Sequence, residues 1–364
     1  MALSAVVSLT GDHTPPAALS GEISALVKEA VPRGVSVDVG LQGVQLFHGD
    51  FLGRLFDWCR AELPAESRAE AMRQLSADLF EGMAELSALM AQEFTEVRDR
   101  WLAGAAAARQ EMVRDILAGE DVGPDRAMAR LSYDLTVHHL ALTAWSDTDS
   151  ADGADELADA ATRLLKSAGC SSILLVPIGT AKLWAWGGRV GGPPEPGADS
   201  FDSPDRDSPA REGRVPPQPR IALGRPGSAL AGFRRSHEQA LAAERAGRIG
   251  RLPGPVYDYE RLELPILLNA LPDAAGEFVT RVLGPLAADD PAMAELRATL
   301  SAYLDEDRAV SAVAGRLHIA KNTVLYRVKK AEQLRGRPVR QDRLAVHAAL
   351  RFVEVFGPPS QRPG

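Results

Sequence analysis

Residues 310–334 read VSAVAGRLHIAKNTVLYRVKKAEQL, two short helical runs around a compact turn. Val313, Leu317, Ile319, Val324 and Val328 can close a small core. Val324 and Val328 lie one turn apart and so share one face of the second helix. Ala314 and Gly315 are small enough for two helices to cross closely there. The opposite face of the second helix, which starts near Lys321, presents Asn322, Thr323, Tyr326, Arg327, Lys329 and Lys330. Asn and Arg can pair bidentately with base edges, while Thr, Tyr and Lys suit phosphate oxygens. The free N–H groups of a helix start also favour phosphate. The segment is therefore expected to be a DNA-reading helix-turn-helix, with Lys321 and those six residues as its contacts.

Charge supports that expectation once it is localised. The 364-residue chain carries a net charge of −8, unpromising for a nucleic-acid binder. Between Arg308 and Arg343, however, ten basic residues face only Glu332 and Asp342, a local +8 that leaves −16 for the rest. A small basic reader on an acidic body shows this asymmetry.

The chain is too long for one hydrophobic core, so several domains are expected. The fold class read from the pattern is multidomain and mainly α. A loose tail is expected over 1–21 and a helical sensor domain over 22–118. An α/β sandwich over 125–260 carries a structureless insertion at 187–219, followed by a helical connector at 261–292 and the helix-turn-helix domain at 293–357. In the first domain, Phe51, Leu52, Leu55, Phe56 and Cys59 recur at helical spacing, as do Leu75, Leu79, Met83, Leu86 and Met90. Pro64 separates these runs. A third helix is expected from about Ala91, with the stripe Phe94, Val97, Trp101, Ala105, Ala108, Met112, Ile116. That stripe serves equally for packing within the domain or for a dimer-forming connector.

Residues 138–145, 172–177 and 182–186 read as strands, with Gly179-Thr180 as a hairpin turn and a helix between the first two. Residues 220–224 form a further short strand, and a helix follows at 230–246. Further helices are expected at 265–271, 274–283, 293–304, 310–317, 321–334 and 342–355. No run of about 18 uncharged apolar residues occurs, and the N-terminus lacks the basic start of a secretory signal. Cys59 and Cys170 have no metal-ligand spacing and read as reduced thiols.

The words TLSAYLDED, VSAVAGRLHIAKNTVLYRVKKAEQL and RLAVHAALR, within 299–356, resemble the C-terminal domain of the PucR/CdaR family of bacterial regulators. Two positions depart from the family pattern. His318 stands where Gly is usual, and Ala320 where a His commonly precedes the basic residue of the recognition helix. Upstream, 225–241 and Leu131-Ser132-Tyr133-Asp134-Leu135 with His138-His139 resemble the family's central GGDEF-like domain. No GG(D/E)EF sequence is present, and Trp184-Ala185-Trp186-Gly187-Gly188 falls at the expected hairpin. The resemblance thus implies a cyclase relative without metal-binding carboxylates, kept for sensing or dimerisation. The N-terminal helices resemble the globin-like sensor domains of the RsbR type.

Other chemistry reads as structural. His138-His139 has no partner at ligand spacing, His48 is a lone histidine, and Ser236-His237-Glu238 cannot face one another on one helix. No catalytic residue, cofactor or metal is expected. The expectation is a cytoplasmic homodimer that binds operator DNA, answers a small-molecule effector and avoids membranes. The alternative is a partner-switching sensor acting through protein contacts.

Overall fold

The computed structural model describes residues 17–147, 153–195, 219–252 and 254–359. The chain divides into two units, Met1–Glu111 and Met112–Gly364.

In the first unit, α1 (Ala17–Ala30) runs into a 3-10 turn, and α2 (Val37–Glu62) and α3 (Arg68–Ala118) follow. Residues 17–21 are therefore helical rather than part of a loose tail; 1–16 lie outside the described residues. Ile23, Val27 and Val31 pack with Phe94 and Val97, and Val44 with Leu79 and Met83. The expected helix start near Ala91 does not exist: α3 is continuous for 51 residues. No proline occurs between Pro64 and Pro124, and Ala, Leu, Glu, Arg and Met dominate, so nothing breaks the ladder. Three described helices, one of that length, are not the many short helices of a globin-like domain, which corrects that expectation. The α3 stripe is buried at Phe94 and Val97, exposed at Trp101 and along 102–107, and buried again at Met112 and Ile116.

The second unit holds a sheet. Its strands are β1 (His138–Trp145), β2 (Ser172–Pro177), β3 (Lys182–Arg189), β4 (Arg220–Leu223), β5 (Gly227–Ser228) and β6 (Val256–Asp258). The order is β2-β3-β1-β4-β6, with β5 beside β1; all pairs are antiparallel except β4 with β6. Short α4 (Pro124–Leu131) precedes it.

Alternation along β1 sends Leu140, Leu142 and Ala144 to one face, where α5 (Gly153–Ser167) covers them with Leu157, Ala161 and Leu165. Ala141 goes to the other face, against Phe233 of α6 (Ala229–Ile249), and Trp145 meets Ala243 and Ala246 there. Burial on both faces explains why β1 reads as a continuous apolar run. β3 continues to Arg189, three residues into the expected insertion; 196–218 lie outside the described residues.

The C-terminal helices are α7 (Tyr259–Leu268), α8 (Pro272–Leu283), α9 (Pro291–Asp305), α10 (Val310–Arg316), α11 (Lys321–Arg335) and α12 (Arg343–Phe356). Pro265 lies inside α7 rather than at its start. The start is set by Asp258, whose side chain accepts from the Glu260 N–H. Asp290 caps α9 in the same way through Ala292 and Met293. Val279, Leu283 and Leu286, from the expected connector, share one core with Leu300, Val313, Val324 and Phe352. Arg251, just after α6, donates its N–H to the Val355 carbonyl at 2.8 Å, tying the sheet to the last helix.

Candidate nucleic-acid interface

The turn between α10 and α11 is a Schellman motif. The His318 N–H donates to the Gly315 carbonyl at 3.3 Å and the Ile319 N–H to the Ala314 carbonyl at 3.0 Å. This closure needs a left-handed residue at position 318, and His318 supplies it at φ 50°. Ala320 then caps α11 with no side-chain bond, so the first-turn N–H groups have no side-chain acceptor.

Val313, Val324 and Val328 are buried, with Leu317 and Ile319 half-buried against them, as their spacing predicts. Gly315 differs from expectation. It is exposed, and a Cβ there would meet nothing within 4 Å, so only Ala314 faces the crossing.

On α11, Lys321, Asn322, Tyr326, Lys329 and Lys330 are exposed, while Thr323 and Arg327 are half-buried. Arg327 turns towards α9, where Nη2 lies 2.5 Å from Oε2 of Glu295 and Nη1 donates to the Thr299 hydroxyl at 3.4 Å. Its guanidinium is engaged within the protein. Two residues of this interface escaped the sequence reading. Glu295 lies 32 positions before its partner, beyond any local signal. Leu325, 53% exposed, follows Lys321 at the same four-residue step that marks the polar face.

The tertiary structure also redistributes the local positive charge. Arg316 pairs with Asp305 and Glu306, Arg335 and Arg337 with Asp342, and Arg343 with Asp307. The Arg343 contact holds the Asp307 carboxyl below its usual range. With Arg327, five of the ten basic residues are thus engaged. Among the described residues, no ion pair involves Lys321, Lys329 or Lys330 of α11, nor Arg308 and Arg340 outside it.

In the sheet domain, Trp184-Ala185-Trp186-Gly187-Gly188 lies inside β3 and not at a hairpin. The reversal is at 178–181, where the Ile178 N–H donates to the Lys182 carbonyl at 2.8 Å and Gly179 takes φ 73°. Gly187 is needed because a Cβ there would run into Cys170 and Leu165. The tip, Ile178-Gly179-Thr180-Ala181, offers no carboxylate.

His139 Nδ1 pairs with the Tyr133 hydroxyl at 2.9 Å and Nε2 contacts the Leu135 carbonyl at 3.2 Å; burial lowers its pKa. Ser236 accepts from the Ala141 N–H, so it braces β1 and faces no base. His237 lies against Trp184 and Trp186, and burial, with Lys182 adding repulsion, pushes its pKa down to about 3. His48 is half-buried beside Phe80. Among the described residues, no three His, Cys, Asp or Glu side chains gather as a metal site.

Two helices joined at a left-handed residue, the second with an exposed cationic face, on a chain that also carries an α/β sheet, define a multidomain helix-turn-helix protein. Residues 296–352 form a PucR C-terminal helix-turn-helix domain, and residues 118–246 a GGDEF-like domain, by match to those family models. These are the two domains that the resemblance to the PucR/CdaR family implied; neither match touches the N-terminal helices.

The Purine catabolism regulatory protein of Bacillus subtilis (strain 168) is 30% identical over 121 residues, 32% of this chain and 23% of that protein. Transcriptional activator PmfR of Paenarthrobacter nicotinovorans is 33% identical over 101 residues, 27% of this chain and 21% of that protein. The matches thus span less than a quarter of either relative's length. A solved structure titled Regulator of Polyketide Synthase Expression, from Bifidobacterium adolescentis, is 18% identical and covers 70% of this chain and 94% of that one; its TM-score of 0.31 is too low to bear on the reading.

Proposed function

We propose that this chain is a sequence-specific DNA-binding transcriptional regulator that reads operator DNA through α11. The observation that carries the reading is the exposed face of α11, where Lys321, Lys329 and Lys330 flank Asn322 and Tyr326 without an internal ion pair. The printed names of the two curated relatives, a regulatory protein and a transcriptional activator, support it. Lys321, Lys329, Lys330, Thr323 and Tyr326 would hold phosphates and Asn322 a base edge. Arg327 changes role: held by Glu295, it positions α11 against α9.

One such helix buries too little for strong specificity, so two copies on paired half-sites are part of the proposal. Large apolar side chains left exposed in the first unit, among them Leu46, Phe80, Trp101 and Leu102, favour self-association there. The GGDEF-like domain would transmit an effector signal without catalysis, and the protein would work in the cytoplasm. No described helix is long and apolar enough to cross a membrane.

The test is a gel shift with DNA selected from a random library by the purified protein. Affinity should fall steeply from low to moderate salt as counterions are released. Light scattering should give twice the chain mass. Failure to enrich any sequence, with a salt-insensitive protein partner captured instead, would favour the partner-switching alternative.

A further inference from the structure

Leu325 is the one large aliphatic side chain on the exposed face of α11, with 53% of its surface open. It stands between Lys321 and Lys329 at four-residue steps, on the stripe beside Asn322, Tyr326 and Lys330. The neighbouring apolar residues of α11, Val324 and Val328, are buried in the domain core, so Leu325 has been left out of it. Both ends of its stripe are lysines with no ion pair among the described residues, and the helix start has no side-chain cap. A duplex seated on those lysines would bring base edges against the side chain between them.

In the major groove only thymine presents an apolar group, its C5-methyl; the other base edges offer donors and acceptors that a leucine cannot satisfy. Resting on the DNA-binding reading above, we infer that Leu325 is a specificity-determining residue that packs on a thymine methyl in each half-site. The lysines fix the register of the helix through phosphates, and Leu325 converts that register into a preference for thymine at one position.

The experiment takes the DNA selected by the full-length protein and replaces each thymine singly with deoxyuridine, which removes the methyl and keeps every hydrogen bond. The expected result is one position per half-site where wild-type affinity falls about fourfold, the loss of one buried methyl. The Leu325→Ala variant should bind with lower affinity and show no further loss there. Leu325→Met, which keeps an apolar tip, should retain the sensitivity. If wild type binds its selected DNA and no deoxyuridine matters, the inference is wrong while the DNA-binding reading stands. An equal loss in wild type and Leu325→Ala also overturns it, since another group then reads the methyl. If no sequence is enriched at all, the DNA-binding reading itself fails, and this inference with it.

Discussion

Arg327 of the recognition helix and Glu295 of α9 form an ion pair with Nη2 and Oε2 2.5 Å apart, and the same guanidinium reaches the Thr299 hydroxyl. A side chain that the sequence places among the DNA contacts is thus engaged with α9 within the domain. We propose that it helps to hold the orientation of α11, beside the core contacts of Val324 and Val328.

Arg327→Ala should therefore lower stability, by about 0.5–1 kcal/mol because Glu295 remains largely in water. DNA affinity should fall for all sequences alike, through loss of helix orientation. Urea unfolding measures the first effect and gel shifts the second. Glu295→Gln should reproduce both, although Glu295 itself cannot attract phosphate; unchanged binding in Glu295→Gln would refute this orienting role.

Lys329→Ala and Lys330→Ala remove exposed charges that make no ion pair among the described residues. Each should leave the circular dichroism spectrum and melting temperature unchanged. Each should weaken binding and reduce the slope of log affinity against log salt by about one. A full-size slope in the double variant would remove both lysines from the interface.

His318→Gly should stabilise the domain. His318 holds the left-handed conformation of the Schellman turn, φ 50°, where a Cβ costs about 1 kcal/mol and glycine nothing. Glycine's extra freedom in the unfolded chain offsets part of that, leaving a gain on the order of 0.5 kcal/mol. Thermal unfolding decides the sign.

Arg335 has a fully buried side chain that bonds the Asp342 carboxylate at 2.8 and 2.9 Å and the Val282 carbonyl at 3.0 Å. Arg335→Met keeps the stem but leaves Asp342 with Arg337 alone. A cost of about 3 kcal/mol is expected, the lower end for a broken buried pair. It should appear as a lower urea midpoint with an unchanged slope.

Stability should depend on pH through His237. Its pKa falls from 6.5 to about 3 on folding, so below pH 6.5 the unfolded chain binds a proton that the native state refuses. Stability is complete above that pH and declines as pH drops towards 3, by up to about 1.4 kcal/mol per unit from this group. The neighbouring Lys182–Glu244 pair, 2.8 Å apart, bears on the same region. Unfolding curves for His237→Phe should show a shallower decline between pH 6.5 and 4.5 than wild type.

Strands β1 to β4, most of the longer helices and the inward pair Val324 and Val328 were legible in the sequence because they rest on periodicity and local turn chemistry; the short α4, β5 and β6 carry too few residues for either signal. His318 was marked only as a position where the family pattern has Gly, and the structure shows the left-handed backbone there. The continuous α3 was misread because an apolar stripe can restart without any break in the backbone. The Trp184–Gly188 run was misplaced because a resemblance in motif position says nothing about strand register.

For the recognition helix, the sequence alone determined which residues share a face. Periodicity does not say which flanks of that face another helix covers. Only the tertiary structure brought Glu295 across to take Arg327 out of the exposed set, and left Leu325 uncovered between two lysines. It also drew Asp305, Glu306, Asp307 and Asp342 onto four other arginines, while Lys321, Lys329 and Lys330 of α11 stay without an ion pair among the described residues. Such pairings depend on distances between chain segments that lie tens of residues apart, and a linear pattern does not carry them.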